Sequence, residues 1–163
     1  MYDGYLNVIS IDDAKIYLRI DDTQNIDDKQ IGQFIKGACM LVERYTNHIL
    51  YARDKVYKMV DGKVRVYDFP INTDVDTLTL VKHYCYTLYT EFVSKGTVNG
   101  CCADDLTLNI GYVNADEVPP ALIDAIYQII DQMYYQHQEG KKSTQEISEL
   151  SYLILDEWKR FIL

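Results

Sequence analysis

The chain has 163 residues, which is the size of one domain and long enough to bury a hydrophobic core. It contains 16 Lys and Arg residues and 25 Asp and Glu residues. The resulting net charge of −9 disfavours strong nonspecific binding to nucleic acid. The apolar runs are too short to span a bilayer, and we expect no secretory signal, because the first residues lack its basic and apolar regions.

Two helices are predicted in the N-terminal third. Residues 10–20 are typical of a short helix, because Ser10 can cap the first turn and acidic residues follow it. Residues 27–48 predict a longer helix, which starts with a capping-box pattern at Asp27. Asn47 near its end can adopt the left-handed conformation that closes a helix. The apolar residues that recur at helical spacing in this second helix are Ile31, Phe34, Ile35, Ala38, Leu41, Val42 and Tyr45.

The middle of the chain, residues 52–113, changes to the pattern of β-strands. Asp61-Gly62 lies between the strand-like segments 55–60 and 63–69 and predicts a hairpin with a tight turn. The sequence therefore indicates a β-rich insertion of about five strands. The remaining predicted strands are Thr77–Tyr84, Tyr86–Val93 and Leu106–Tyr112.

Residues 118–138 and 143–161 return to helical periodicity. Pro119-Pro120 fits the start of the first helix, and Ser143 opens a capping box at the second. The whole order predicts a single α+β domain over residues 1–163, mainly α, in which a helical core carries the β-insertion. The apolar residues predicted to line one face of the last helix are Ile147, Leu150, Leu153, Ile154, Trp158 and Phe161.

No catalytic arrangement stands out in the sequence. Phosphate-binding, calcium-loop and metalloprotease motifs are absent, and paired Asp residues fall at helix starts or turns, where carboxylates serve as caps. His83 and Cys85 could supply zinc ligands together with Cys101 and Cys102, but side chains of adjacent cysteines diverge. We predict no enzyme activity, no metal and no cofactor, and we interpret these cysteines and Cys39 as reduced thiols.

Tyrosine is unusually frequent, at 15 residues. Its large apolar ring and polar tip make it common where proteins meet. The excess is compatible both with compositional drift and with a protein that forms interfaces.

The order of these segments resembles that of the head–tail connector proteins of tailed bacteriophages, also called adaptor or head-completion proteins. Tyr17–Asp22 reads YLRIDD, and an acidic linker and a long helix follow it. This helix ends in a Val-Glu-x-Tyr-Thr motif at Val42–Thr46. Asp68–Ile71 is similar to a Phe-Pro-Ile element in the family's β-rich insertion. The family's return to helix through Gly-Tyr, an acidic loop, Val-Pro and a helix is matched by residues 106–136, including Gly111, Val118, Pro119 and Ala125.

The similarity covers most of the chain, from about residue 8 to residue 160, with two departures. Asn47 stands where the family often has Gly, and Glu157–Arg160 replaces the usual Pro-Tyr-Arg ending. The resemblance implies a structural ring of twelve subunits beneath the portal. This ring extends the DNA channel and joins the head to the tail or to a downstream stopper protein. DNA passes through it without specific binding, and no membrane is involved.

The resemblance also implies assembly in the host cytoplasm and residence in the neck of the virion. The alternatives are another neck ring, of the stopper or tail-terminator type, and a small phage accessory protein or enzyme. The C-terminal segment is predicted to dock on the portal because its apolar residues continue past any helix cap; alternatively, it closes the subunit's own core. The segment consists of Trp158, Lys159, Arg160, Phe161, Ile162 and Leu163.

Overall fold

The structure, a computed structural model, describes residues 4–21, 27–73, 78–83, 89–94, 105–140 and 148–159. Within these ranges it has a mainly helical α+β fold, which confirms the predicted class. The helices are α1 (Tyr5–Val8), α2 (Ile11–Leu18), α3 (Asp28–Thr46), α4 (Pro120–Gln138) and α5 (Glu149–Trp158). The strands are β1 (Arg53–Lys58), β2 (Lys63–Val66), β3 (Leu78–His83), β4 (Tyr89–Ser94) and β5 (Asp105–Ile110).

The N-terminal end carries one helix more than the periodicity predicts. Helix α1 has a single turn, which is too short to show a period. Helix α2 begins after Ser10, whose Oγ accepts a 3.0 Å hydrogen bond from the backbone N–H of Asp13, so the predicted cap is confirmed. It ends at Arg19, which has a positive φ of 58°.

Helix α3 buries the predicted apolar face but begins differently. Asp27 has helical dihedral angles and makes no capping bond, so the predicted capping box is wrong. A cap needs an extended backbone to aim its side chain at the first free N–H groups. The Asp27 carboxylate instead accepts a 3.3 Å hydrogen bond from the Tyr134 hydroxyl of α4. At the other end Asn47 has the predicted left-handed conformation, with φ of 60°.

The strands form two small antiparallel sheets, with orders β1-β5 and β2-β4-β3. Asp61 and Gly62 both have positive φ, and Val60 and Lys63 exchange backbone hydrogen bonds of 2.9 and 3.0 Å, so the predicted tight turn is present. The hairpin predicted beyond it is wrong, because β1 pairs with β5 and β2 pairs with β4. A turn determines only the first bridge, whereas burial of apolar side chains decides which strands pair.

The last two helices complete the helical layer. Pro120 is the first residue of α4, as predicted. Helix α5 begins later than predicted, because Ser148 is non-helical and its side chain accepts a 3.2 Å hydrogen bond from the backbone N–H of Ser151. The proposed capping box at Ser143 lies outside the described residues.

The described apolar residues form two cores. The larger core lies between the helices, with Ile35, Val42, Ile126 and Leu155 among its fully buried members. The smaller core lies between the sheets, and its buried members are Ile49, Val66, Phe92, Leu108 and Ile110. The chain crosses between these cores directly after α3.

Candidate functional site

Three segments that the resemblance singles out meet at one place, the junction, which comprises residues 46–50, 69–71 and 110–112. Phe69 donates its N–H to Asn47 O at 3.0 Å and accepts from Ile49 N at 2.7 Å. Gly111 N donates to Pro70 O at 2.8 Å, and Tyr112 N donates to Ile49 O at 3.1 Å. Backbone hydrogen bonds therefore join the end of α3 to the middle and to the end of the β-insertion.

His48 lies at the centre of the junction and is buried. Its backbone N–H donates to Thr46 Oγ1 at 3.2 Å, and its Nδ1 lies 2.8 Å from the Tyr112 hydroxyl oxygen. The ring centroids of Phe69 and Trp158 lie 5.3 and 5.8 Å from that of His48, both in edge-on arrangements. Neighbouring residues enclose the His48 ring and bond to its Nδ1 and its backbone N–H. This geometry is that of a residue that packs the fold.

The C-terminal end of α5 rests on this junction. Trp158 is half-buried against His48, and the Nζ of Lys159 lies 4.5 Å from the ring centroid of Tyr45. Tyr45 also donates its hydroxyl to Asp156 at 2.6 Å, and this bond, followed by burial, raises the pKa of Tyr45 to about 12. Of the six residues predicted to contact the portal, the structure describes Trp158 and Lys159. The other four, Arg160, Phe161, Ile162 and Leu163, lie outside the described residues.

Helix α5 does not bury the face that its spacing predicts. Its buried residues are Ser151 and Leu155, whereas Leu150 is 59% exposed and Leu153 is 66% exposed. Ser151 turns inward because its hydroxyl donates to Gln128 of α4 at 3.1 Å. This bond and the fit of Leu155 set the rotation of the helix, and two leucines consequently face outward.

Beside the junction, Glu43 holds a buried polar network. Its carboxylate accepts hydrogen bonds from the Tyr5 hydroxyl at 2.7 Å, from the Leu50 N–H at 2.9 Å and from both terminal nitrogens of Arg53. Burial, followed by the bond to Glu43, raises the pKa of Tyr5. Sequence reasoning missed this network, although it includes the glutamate of the motif at Val42–Thr46.

The network borders an open pocket of about 460 Å³. Its two carboxylates are both engaged, since Glu43 binds Arg53 and Asp68 lies 2.7 Å from Lys55 Nζ. The Tyr57 hydroxyl also donates to Asp68. Paired charges of this kind stabilise a fold and leave little acid–base capacity for chemistry.

Candidate metal ligands are only partly described. His83 lies in β3, whereas Cys85, Cys101 and Cys102 lie outside the described residues. Cys39 is buried in α3, and burial raises the pKa of its thiol. Within the described ranges, no three His, Cys, Asp or Glu side chains come close enough to hold a metal ion.

Two of the acidic doublets lie at helix starts, as expected, but their described bonds are to side chains rather than to the free N–H groups of the first turn. Asp12 and Asp13 lie in the first turn of α2, where Asp13 also accepts a 2.6 Å hydrogen bond from the Ser10 hydroxyl. Asp28 pairs with Lys15, which is almost fully buried between α2 and α3. In the described part of the chain, no helix has the length and apolar character needed to cross a membrane.

Two solved structures share this fold over nearly the whole chain. A chain in the neck of an empty gene transfer agent particle, computed with C6 symmetry, matches with a TM-score of 0.71 and 13% identity. The match covers 100% of this chain and 94% of that one. A chain in the virion of a native gene transfer agent particle gives a TM-score of 0.70 at 11% identity, over 96% of this chain and 91% of that one.

At these identities, the likeness shows a shared fold. No protein-family model matches the sequence, and no curated protein matches it.

Proposed function

We propose that this chain is a structural neck protein, a head–tail adaptor that forms a ring, binds the portal and links the capsid to the tail or to the next neck protein. The observation that carries the proposal is the match over the full length to a chain in the neck of a gene transfer agent particle. The convergence of the three motif segments at the junction supports the same assignment, because it gives the resemblance a physical basis in the fold.

The ring has twelve subunits in this proposal. Sixfold symmetry in the neck of the related particle is compatible with six copies or with two sets of six. A ring closes through head-to-tail contacts, so each subunit needs two different contact surfaces. The net charge of −9 suits a channel through which DNA passes without binding specifically.

Contact with the portal is assigned to the C-terminal segment, Trp158 to Leu163. Its described part, Trp158 and Lys159, rests on the junction beside Phe69, which is 40% exposed. An aromatic anchor that is already held by its own subunit reaches a partner groove with little loss of conformational entropy. The proposed setting is the neck of a virion that is assembled in the host cytoplasm, with no cofactor.

A reconstruction of the neck from purified particles tests the assignment. We expect a ring of this chain in direct contact with the portal, with its C-terminal segment on the portal side. A ring located further down the neck, without portal contact, would instead assign the chain to the stopper or tail-terminator class. Absence of the chain from the particle would refute a structural neck role altogether.

A further inference from the structure

One face of helix α3 forms a stripe of three cations and two uncharged residues, the basic stripe, which is exposed except for half-buried Lys36. Its members are Lys29, Gln33, Lys36, Met40 and Arg44. Their spacing of four, three, four and four residues places them on one face of the helix. The opposite face is the fully buried one that carries Ile31, Ile35, Ala38 and Val42. The stripe contains three cations and no carboxylate, and Met40 near its middle is 45% exposed.

Helices α2 and α4 together expose a surface of the opposite character, the acidic tyrosine patch. At its centre the rings of Tyr17 and Tyr127 stack with centroids 4.7 Å apart and planes 15° apart. Ile16 is 73% exposed and Tyr17 is 45% exposed, so the patch has an apolar middle. The carboxylates of the patch belong to Asp13, Asp124 and Asp131.

Helical spacing brings these carboxylates to the stack, since Asp13 lies four residues before Tyr17 in α2. Asp124 and Asp131 lie three residues before and four residues after Tyr127 in α4. Burial, and after it the charges of Asp131 and Asp124, raises the pKa of Tyr17. Burial, followed by the charges of Asp13 and Asp124, raises the pKa of Tyr127. The negative charge is therefore concentrated around the tyrosine stack.

The two surfaces lie on different sides of the subunit. Helix α2 meets α3 through the ion pair of Lys15 with Asp28, and α4 meets it through the edge-on contact of His137 with Phe34. Neither Asp28 nor Phe34 belongs to the basic stripe, which faces away from both of these helices. A subunit can therefore use both surfaces at once, as a closed ring requires.

We propose that the basic stripe of one copy docks on the acidic tyrosine patch of the next copy, so that this contact repeats around the ring. The inference rests on the proposed ring function and specifies its subunit interface. Three cations flank an exposed methionine on one surface, and three carboxylates lie around the exposed tyrosine stack on the other, with exposed Ile16 next to Tyr17 in the chain. Complementary charge at the rim and apolar contact at the centre are the usual composition of specific interfaces. The tyrosine faces also favour contact with the cations.

Cysteine cross-linking in purified particles tests this contact. Particles are assembled with the full chain carrying Ile16→Cys and Met40→Cys together, and they are oxidised before denaturing electrophoresis. We expect a ladder of covalent oligomers, because each copy joins two neighbours, whereas either substitution alone gives no ladder. The control chain carries Val56→Cys and Val113→Cys, at positions with similar exposure of 57% and 62%, and it should remain monomeric like the parent chain.

The outcomes separate this interface from the function on which it rests. If the chain is absent from the particles, the neck role and the interface both fail. A ring without a ladder overturns the interface alone. Dimers from Met40→Cys alone would show a symmetric contact between stripes and would also overturn it. A further result would also overturn it: no ladder forms, and the purified parent chain slows a DNA duplex in native electrophoresis in a way that requires Lys29 and Arg44. The stripe would then bind phosphate instead.

Charge reversal gives an independent test of pairing. Lys29→Glu with Arg44→Glu, or Asp124→Lys with Asp131→Lys, should each lower the copies of the chain per particle about tenfold or more, because like charges then face each other. Combining all four substitutions in one chain should restore incorporation. Lys58→Glu with Lys63→Glu is the control and should incorporate normally.

Circular dichroism and thermal unfolding establish that each variant is folded. Failure of the combined variant to recover, although it is folded, would overturn the proposed pairing.

Discussion

Glu43 of α3 and Arg53 of β1 form a two-pronged ion pair, with Nη1–Oε1 and Nη2–Oε2 distances of 3.2 and 2.8 Å. The glutamate is almost buried, whereas the arginine retains 30% of its side-chain exposure. Because the Glu43 carboxylate also binds Tyr5 and the Leu50 N–H, one side chain ties α1, α3 and the β-insertion together. This carboxylate orients the insertion relative to the helical core.

Replacing Glu43 with Gln should lower the free energy of unfolding by about 3 kcal/mol. The amide removes the charge and turns donors toward the donors of Arg53, Tyr5 and Leu50, so buried polar groups lose their partners. Urea unfolding at pH 7 measures the change. Glu117→Gln is the control, since Glu117 is exposed, and its cost should stay below about 0.5 kcal/mol. A loss under about 1 kcal/mol at Glu43 would contradict the organising role of this network.

Gly111 should not tolerate alanine. Its φ is +107°, and an added Cβ would lie 2.2 Å from the backbone oxygen of Tyr51. We expect Gly111→Ala to cost about 3 kcal/mol or more, because both the backbone conformation and the contact have to change. Gly140→Ala provides the matched control, since Gly140 also has positive φ but an added Cβ would meet nothing within 4 Å, and its cost should be about 1 kcal/mol. Equal costs in thermal unfolding would argue against close packing at the junction.

Tyr45 should make the attachment of α5 sensitive to alkaline pH. Folding raises its pKa from 10.0 to about 12, mainly through the bond to Asp156. The contribution of this phenol is therefore fully present below pH 10 and is lost as pH rises through 12. Tyr45→Phe should cost about 0.5–1 kcal/mol at pH 8, and this difference from the parent chain should shrink between pH 10 and 12. A difference that does not change over this interval would rule out the assigned titration.

Deleting residues 159–163 should leave the subunit folded but unable to join portal-bearing heads. Trp158 remains in the deleted chain, so its contact with His48 is retained. Circular dichroism checks the fold, and counting completed heads by electron microscopy checks the joining. If the shortened chain completes heads normally, the docking proposal is wrong. If it unfolds, the segment serves the subunit's own core.

Treatment with EDTA, or with a thiol reductant, should leave the melting temperature unchanged. A structural zinc ion contributes on the order of 10 kcal/mol to the folding of a small domain. A clear fall in melting temperature with EDTA would indicate a metal site that involves His83, Cys85, Cys101 or Cys102. Scanning calorimetry with and without the chelator provides the measurement.

Much of the secondary structure could be predicted from the sequence, because it depends on local interactions. The apolar period of α3, the cap at Ser10 and the left-handed conformation of Asn47 involve residues within a few positions of each other. The turn at Asp61-Gly62 is local as well. Strand pairing was predicted wrongly at this turn, since the partner of β1 lies about fifty residues further along the chain.

Which residues are exposed on α3 and α5 depends more on tertiary packing than the secondary structure does. Leu150, Leu153 and Ile154 are equally apolar in sequence, yet only Ile154 packs on the helical core, because Ser151 and Leu155 determine the rotation of α5. The positions of Lys29, Lys36 and Arg44 on one helical face follow from their spacing alone. Among the described residues, this face stays exposed because α2 and α4 pack on other sides of α3.

By itself, the sequence determined helices α2 to α5, the five described strands, the caps at Ser10 and Asn47 and the order of motifs that resembles a head–tail connector, because each of these is encoded by neighbouring residues. Only the tertiary structure decided that Thr46, Phe69 and Gly111 meet at one junction and that Glu43 binds Arg53. It also decided that Tyr17 stacks on Tyr127, close to the carboxylates of Asp13, Asp124 and Asp131. These contacts join residues that are distant along the chain, and packing of the two cores selects them from many alternatives that local preferences leave equal.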